Sequence, residues 1–151
     1  MPRESVSVEV AADCTAVFNL MHDYDRRLAW DTLLSKAVLL DGAAEAGLGV
    51  RSLCVGTWRG LFLPLETEYI RFEPGVAAAV SLTNQPLFFE AFAATIRHES
   101  LGGNRSRVTY IYFFRARPRL LAPLLEPVMN VLLKRETQKR LDALRHYLAR
   151  M

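Results

Sequence analysis

The last third of the chain constrains the fold most, because a strand pattern there leads directly into a long helix pattern. From Arg107 to Ala116, alternate positions are large and apolar, as expected for one face of a β-strand. These inward positions are Val108, Tyr110, Tyr112 and Phe114. A break marked by Pro118 follows, and then a helix pattern that continues almost to the end. A helix of this kind, following antiparallel strands, needs a sheet to lie against, so the pattern predicts an α+β fold.

The terminal helix is predicted to run from Pro123 to Arg150, which corresponds to about 42 Å. Apolar side chains recur at spacings of four and three and are predicted to face the sheet. They are Leu133, Leu141, Leu144 and Leu148, with Thr137 among them. The opposite face is basic and carries Lys134, Arg135, Lys139, Arg140 and Arg145. There, Glu136 and Arg140 have the spacing of a surface ion pair.

The start of this helix, LLAPLLEPVMNVLL from Leu120, is apolar nearly all round. Its strongly polar side chains are Glu126 and Asn130. A helix that is apolar on every side needs cover on every side. The short helices or a loop would provide it in one interpretation, and a ligand, a second subunit or a membrane surface in others. Val128, in the middle of this segment, is therefore a candidate ligand contact.

The pattern in the rest of the chain predicts two short helices and six further strands. Asp13 is a predicted N-cap for the first helix, and DYDRRLAWD forms the second. The other predicted strands are Ser5 to Val10, a strand ending near Leu40, Val50 to Trp58, LETEYIRFE, VAAAVSL and FFEAFAATIRHE. Glycines at 102 and 103 supply the positive φ of a tight hairpin before the last strand.

Composition excludes several classes of function. The 151 residues fit one domain, 1–151, and a net charge of +3 without a nucleic-acid-binding motif argues against nucleic acid as a partner. No apolar run reaches the roughly 20 residues that span a bilayer, and the N-terminus lacks a signal-peptide pattern, so we expect a cytoplasmic location. Cys14 and Cys54 are expected to be buried thiols.

No motif for a metal or cofactor emerges. His22, His98 and His146 are scattered, without the spacing of a metal site. The glycine loop from Gly42 to Gly49 lacks the ending of a phosphate-binding loop and is interpreted as a hairpin. We expect no metal and no cofactor.

The order of strand, two short helices, six strands and long helix resembles the helix-grip fold of the START and Bet v 1-like (SRPBCC) superfamily, in particular its polyketide cyclase/dehydrase-like group. The segments that carry the resemblance are VSVEV, AADCTAVFNLMHD, AWD, DGAAEAGLG, GTWRG, EYIRFEPG, GGNRSRVTY and RARPRLLAPLLEP. The resemblance implies an antiparallel sheet of about seven strands curled around the C-terminal helix. It also implies a cavity for lipids, polyketides, sterols or quinones; some members are cyclases or hydrolases, and others only carry or sense a ligand.

Candidate site residues follow from strand parity. Tyr110 and Tyr112 belong to the aromatic stripe, and two buried phenols need hydrogen-bond partners. Glu90 shares a strand face by parity with Phe88, Phe92, Ala94, Ile96 and His98. If that face is concave, Glu90 lies in an apolar pocket with a raised pKa, and Glu90 and His98 become candidate acid–base residues. If it meets solvent, they do not. Further candidates on neighbouring strands are Trp58, Tyr69 and Arg71.

The loop GLFLPLE, from Gly60, is unusually apolar for a solvated hairpin. We interpret it as a lid over a cavity, with contact to a membrane or partner as the alternative.

Three functional hypotheses remain open. The first is binding or transport of a hydrophobic small molecule or lipid. The second is cyclisation, dehydration or hydrolysis of such a ligand, with Glu90, His98 or a tyrosine as acid and base. The third is a dimeric interaction module built on the apolar helix start and the loop from Gly60, so that either a monomer or a homodimer is expected.

Overall fold

A computed structural model of the chain describes residues 3–57 and 63–150. It contains a curled antiparallel sheet of seven strands in the order β1-β7-β6-β5-β4-β3-β2. The strands are β1 (Arg3–Val10), β2 (Leu34–Leu39), β3 (Arg51–Gly56), β4 (Pro64–Glu73), β5 (Ala77–Leu82), β6 (Phe89–Gly102) and β7 (Arg105–Ala116). The helices are α1 (Cys14–Met21), α2 (Arg27–Trp30) and α3 (Ala122–Ala149). The predicted fold class and element order are confirmed.

The first two strands lie at opposite edges of the sheet, and α1 and α2 make the connection between them. The side chain of Asp13 accepts a hydrogen bond from the Ala16 backbone N–H at 2.8 Å, which caps α1 as predicted. Val6, Val8 and Val10 are buried on one face of β1, as their alternation predicts. In the described part of the chain, no helix is long and apolar enough to cross a membrane.

The long helix α3 packs against the sheet through its C-terminal half. Leu141 and Leu144 are fully buried and Leu148 is 6% exposed, which confirms the predicted apolar face. Polar contacts fix the N-terminal half. Glu126 accepts a hydrogen bond from the Ala116 backbone N–H at 3.0 Å, and the Asn130 side-chain amide donates to Glu4 at 3.0 Å.

The predicted surface position of Arg140 is wrong. Arg140 is only 9% exposed, and its Nε lies 3.2 Å from the carboxylate of Asp31 at the end of α2. Glu136 instead lies 3.5 Å from Lys139. Position 140 lies at the edge of the buried face of α3. The attraction between opposite charges is stronger away from water, so the buried carboxylate of Asp31 is a stronger partner for Arg140 than the partly exposed carboxylate of Glu136.

The start of α3 and the turn before it are exposed along one apolar stripe. Leu120 is 93% exposed, Leu124 73%, Val128 59% and Val131 66%. Among the described residues, neither the short helices nor a loop covers this stripe; Gly60, Leu61 and Phe62 of the apolar loop lie outside them.

Candidate ligand-binding cavity

A cavity of about 110 Å³ lies between the sheet and α3. Inward side chains of the central strands and of α3 form its apolar and aromatic walls: Leu65, Tyr69, Val80, Phe89, Phe92, Ile96, Tyr110, Tyr112 and Leu133. Phe92 and Tyr112 stack with ring centroids 6.1 Å apart and an interplanar angle of 21°. Tyr112 is 1% exposed, and burial raises the pKa of its phenol to about 12, so the phenol is neutral near pH 7.

A second space of about 300 Å³ adjoins this cavity and forms its mouth. The two share Leu33, Leu65, Phe89, Leu133, Glu136 and Arg140. The mouth is otherwise apolar and is lined by Leu34, Leu63, Phe88, Leu125, Val128, Met129 and Leu132, with Gly56. Of the predicted lid, Leu63 and Leu65 therefore line these spaces, whereas Leu61 and Phe62 lie outside the described residues.

The end of the cavity next to α2 is polar and contains a buried ion cluster. Asp31, which is 1% exposed, accepts hydrogen bonds from Arg27 Nε at 2.8 Å and Arg140 Nε at 3.2 Å. The Leu33 backbone N–H also donates to Asp31, at 3.2 Å. Although burial alone would raise the pKa of Asp31, the two guanidinium groups hold it below its usual value. Arg27 and Arg140, but not Asp31, line the cavity.

Aromatic rings hold both guanidinium groups in place. The Arg27 guanidinium lies 5.2 Å from the ring centroid of Trp30 and 5.6 Å from that of Tyr24. The Arg140 guanidinium lies 5.9 Å from the ring centroid of Tyr110. Such contacts restrict an arginine without occupying its hydrogen-bond donors.

A hydrogen-bond network flanks the ion cluster. His22 Nδ1 and the Tyr69 hydroxyl are 2.7 Å apart, and the Tyr69 and Tyr24 hydroxyls are 3.1 Å apart. Tyr24 in turn donates to Ser52 at 3.2 Å. Burial, aided by the Arg27 charge, lowers the pKa of His22 to about 3, and burial raises the pKa of Tyr69 well above 10. Both side chains are therefore neutral near pH 7.

Of the two alternatives left open for Glu90, the structure does not support the one that places it in the cavity. In the ladder between β6 and β7, Phe89 pairs with Ala116 and Ala91 with Arg115, so Glu90 is an extra residue at a β-bulge. The bulge reverses the parity of the strand at this point, so that Phe89 as well as Phe92 reaches the cavity. The Glu90 carboxylate lies 2.9 Å from Arg119 and lines neither the cavity nor its mouth.

His98 lies away from the cavity. Its ring packs against Phe18 with centroids 5.5 Å apart, and neither ring nitrogen has a hydrogen-bond partner. Burial lowers its pKa to about 4. Arg71, another candidate, is exposed and pairs with Glu73 at 2.9 Å.

We expect the stability of the protein to fall in mild acid because of these two histidines. Their folded pKa values lie below the unfolded value of 6.5, so the unfolded chain binds protons that the native chain does not, and stability is lost as the pH falls from about 7 to 5. His98→Phe should reduce that loss by about 1–2 kcal/mol. Urea denaturation at both pH values measures it; an unchanged pH dependence in the variant would contradict the assignment to His98.

The structure brings most of the predicted ligand-binding residues together. Tyr69, Phe92, Tyr110 and Tyr112 line the inner cavity, and Phe88 and Val128 line the mouth. Trp58 lies outside the described residues. Sequence reasoning missed the polar end, formed by His22, Tyr24, Arg27, Asp31, Cys54 and Arg140. One signal was present: Arg27 and Asp31 have an i, i+4 spacing within RRLAWD.

A larger depression of about 810 Å³ lies between α1, the segment after it and the glycine loop. It is open to solvent, and His22 and Tyr24 line both this depression and the inner cavity. An apolar ligand gains most where walls exclude water, which favours the cavity between the sheet and α3 over this depression. Within residues 3–57 and 63–150, no three His, Cys, Asp or Glu side chains form a group that could hold a metal ion.

The sequence model of a protein family described as polyketide cyclase/dehydrase and lipid transport matches residues 1–149. The chain belongs to this family. The predicted superfamily resemblance is thereby confirmed. A comparison with curated proteins gave no match.

Solved structures of several other proteins have the same fold as this chain. The protein TTHA0849 from Thermus thermophilus has a TM-score of 0.81 at 15% identity, covering 98% of this chain and 97% of that one. A START superfamily protein from Mycobacterium smegmatis has a TM-score of 0.79 at 13% identity, covering 98% and 97%. The Zhui aromatase/cyclase from a Streptomyces species has a TM-score of 0.81 at 15% identity, covering 99% and 94%.

Proposed function

We propose that this family member binds an apolar small molecule or lipid chain in the cavity between the sheet and α3. The observation that carries the proposal is the pair of adjoining, largely apolar spaces, an open mouth and an aromatic cavity that share lining residues. The mouth alone, at about 300 Å³, reaches the lower end of the volumes of small-molecule sites, roughly 300–1,000 Å³. A ligand of one or two fused rings, or a single acyl chain, suits this size.

Binding without chemistry is favoured over the enzymatic alternative. A general base works best with a pKa near the operating pH, whereas the pKa of His22, in the cavity, is lowered to about 3. Glu90 is ion-paired outside the cavity, and His98 does not line it. The phenols of Tyr69 and Tyr112 have raised pKa values, which makes them hydrogen-bonding groups rather than proton donors.

The test is a fluorescence titration with 2-naphthamide, a neutral probe of two fused rings. We expect wild-type protein to bind it with a Kd in the micromolar range, about −8 kcal/mol. Leu133→Trp should weaken binding at least about tenfold, because Leu133 lines both the cavity and its mouth.

Val131→Trp is the matched control. Val131 is two positions away on α3, is 66% exposed and lines neither space. This variant should bind as wild type does. If Val131→Trp changes the affinity and Leu133→Trp does not, the probe sits on the exposed stripe of α3 and the cavity proposal is wrong.

A further inference from the structure

We propose that the natural ligand carries one carboxylate, which Arg140, with Arg27 beside it, binds at the polar end of the cavity. This inference rests on the proposed function and specifies the class of ligand. It begins from an imbalance of charge in the ion cluster. Arg27 is 8% exposed, Arg140 9% and Asp31 1%, so two buried cations share one buried anion.

Within residues 3–57 and 63–150, no other group at this polar end supplies a second negative charge. His22 and Tyr69 are neutral, and burial raises the pKa of the Cys54 thiol, so it stays protonated. Glu136 is the remaining carboxylate on the cavity wall among the described residues and, like Arg140, it lines both the cavity and the mouth. Its side chain is 23% exposed, and its charge is balanced by Lys139 at 3.5 Å. The inner cluster therefore keeps a net charge of about +1.

The unused donors belong to the same cluster. Asp31 is reached through the Nε atoms of both arginines, and Arg27 Nη1 donates to the Met21 carbonyl at 3.3 Å. Among the described residues, the two terminal nitrogens of Arg140 have no hydrogen-bond partner. These nitrogens belong to a side chain that lines the cavity and its mouth, and a carboxylate matches the fork of a guanidinium group.

The position of Arg140 makes it accessible to a ligand. It lines both the inner cavity and the mouth, so a molecule that enters through the apolar mouth meets its guanidinium group. The Tyr110 ring, 5.9 Å away, and the Asp31 carboxylate hold the group in place before a ligand arrives. An apolar ligand that enters with its carboxylate first can pack its body against the aromatic wall and accept hydrogen bonds from the terminal nitrogens of Arg140.

The experiment compares 2-naphthoate with 2-naphthamide, which have the same shape and differ in charge. We expect wild-type protein to bind 2-naphthoate at least about tenfold more tightly. Arg140→Met should abolish this preference while leaving a one-to-one Arg27–Asp31 pair that permits folding, checked by circular dichroism. Glu136→Gln should raise the preference, because it removes the opposing charge at the mouth.

The outcomes separate this inference from the proposed function. If neither probe binds, the proposed function fails and the inference fails with it. If both bind wild-type protein equally, or 2-naphthamide binds more tightly, the cavity proposal stands and the carboxylate inference is overturned. A preference that persists in folded Arg140→Met overturns the role of Arg140. If Arg140→Met does not fold, the wild-type ratio and Glu136→Gln still decide the inference.

Discussion

Replacing Asp31 by Asn is expected to lower the free energy of unfolding by about 3–5 kcal/mol, because it leaves two buried guanidinium groups without a counter-charge. Asp31 is 1% exposed and contacts both Arg27 and Arg140. Asparagine keeps the shape but removes the charge that stabilises both cations. Urea denaturation at pH 7 gives the difference. The control is Asp25→Asn, at an exposed position near the same helix, which should change stability by less than about 0.5 kcal/mol.

A double-mutant cycle separates charge from packing. In the Asp31→Asn protein, adding Arg140→Met removes one of the uncompensated cations, so part of the lost stability should return. If Asp31→Asn costs no more than its control, or if the two losses simply add, the Asp31 carboxylate does not stabilise the two guanidinium groups as described.

Leu141→Ala is expected to cost about 2–5 kcal/mol, from the lost burial of the side chain and the cavity that remains. Leu141 is fully buried between α3 and the sheet and belongs to the main hydrophobic cluster. Leu124→Ala, on the same helix at a position 73% exposed, is the matched control and should cost less than about 1 kcal/mol. Equal losses in the two variants would mean that α3 does not dock through its C-terminal half.

The fold was predictable because its signals are periodic and local. Alternation at Val6, Val8 and Val10 marks an inward strand face, and the spacing of Leu141, Leu144 and Leu148 marks the docked face of α3. Both patterns depend only on the side-chain period of the element. The family resemblance and the structure agree on this architecture.

The site was less predictable because it depends on features that the regular spacing of apolar side chains along the sequence does not reveal. A bulge at Glu90 reverses strand parity, and nothing in LFFEAFAA indicates where an extra residue enters the ladder. Phe88, just before it, adopts a φ of 71°, which is rare for a bulky side chain and lies outside any strand pattern. The position of the bulge is set by pairing with β7, a tertiary property.

The buried arginine was missed for a related reason. On a helical wheel, Arg140 lies at the edge of the apolar face among other basic residues, and a basic residue is assigned to solvent by default. Its burial depends on Asp31, which is 109 positions earlier in the chain. Two residues that far apart in the chain leave no pattern in the local sequence that would predict their contact.

The measurement that tests the central claim most directly is protection of the Cys54 thiol, which lines the inner cavity. In a Cys14→Ser protein, saturating 2-naphthamide should slow modification of Cys54 by a small neutral thiol reagent at least about tenfold, since the ligand fills the space beside the thiol. In the converse Cys54→Ser protein, the half-buried Cys14 at the start of α1 should react at the same rate with and without the probe. Unchanged reactivity of Cys54 at saturating probe would contradict binding in the cavity.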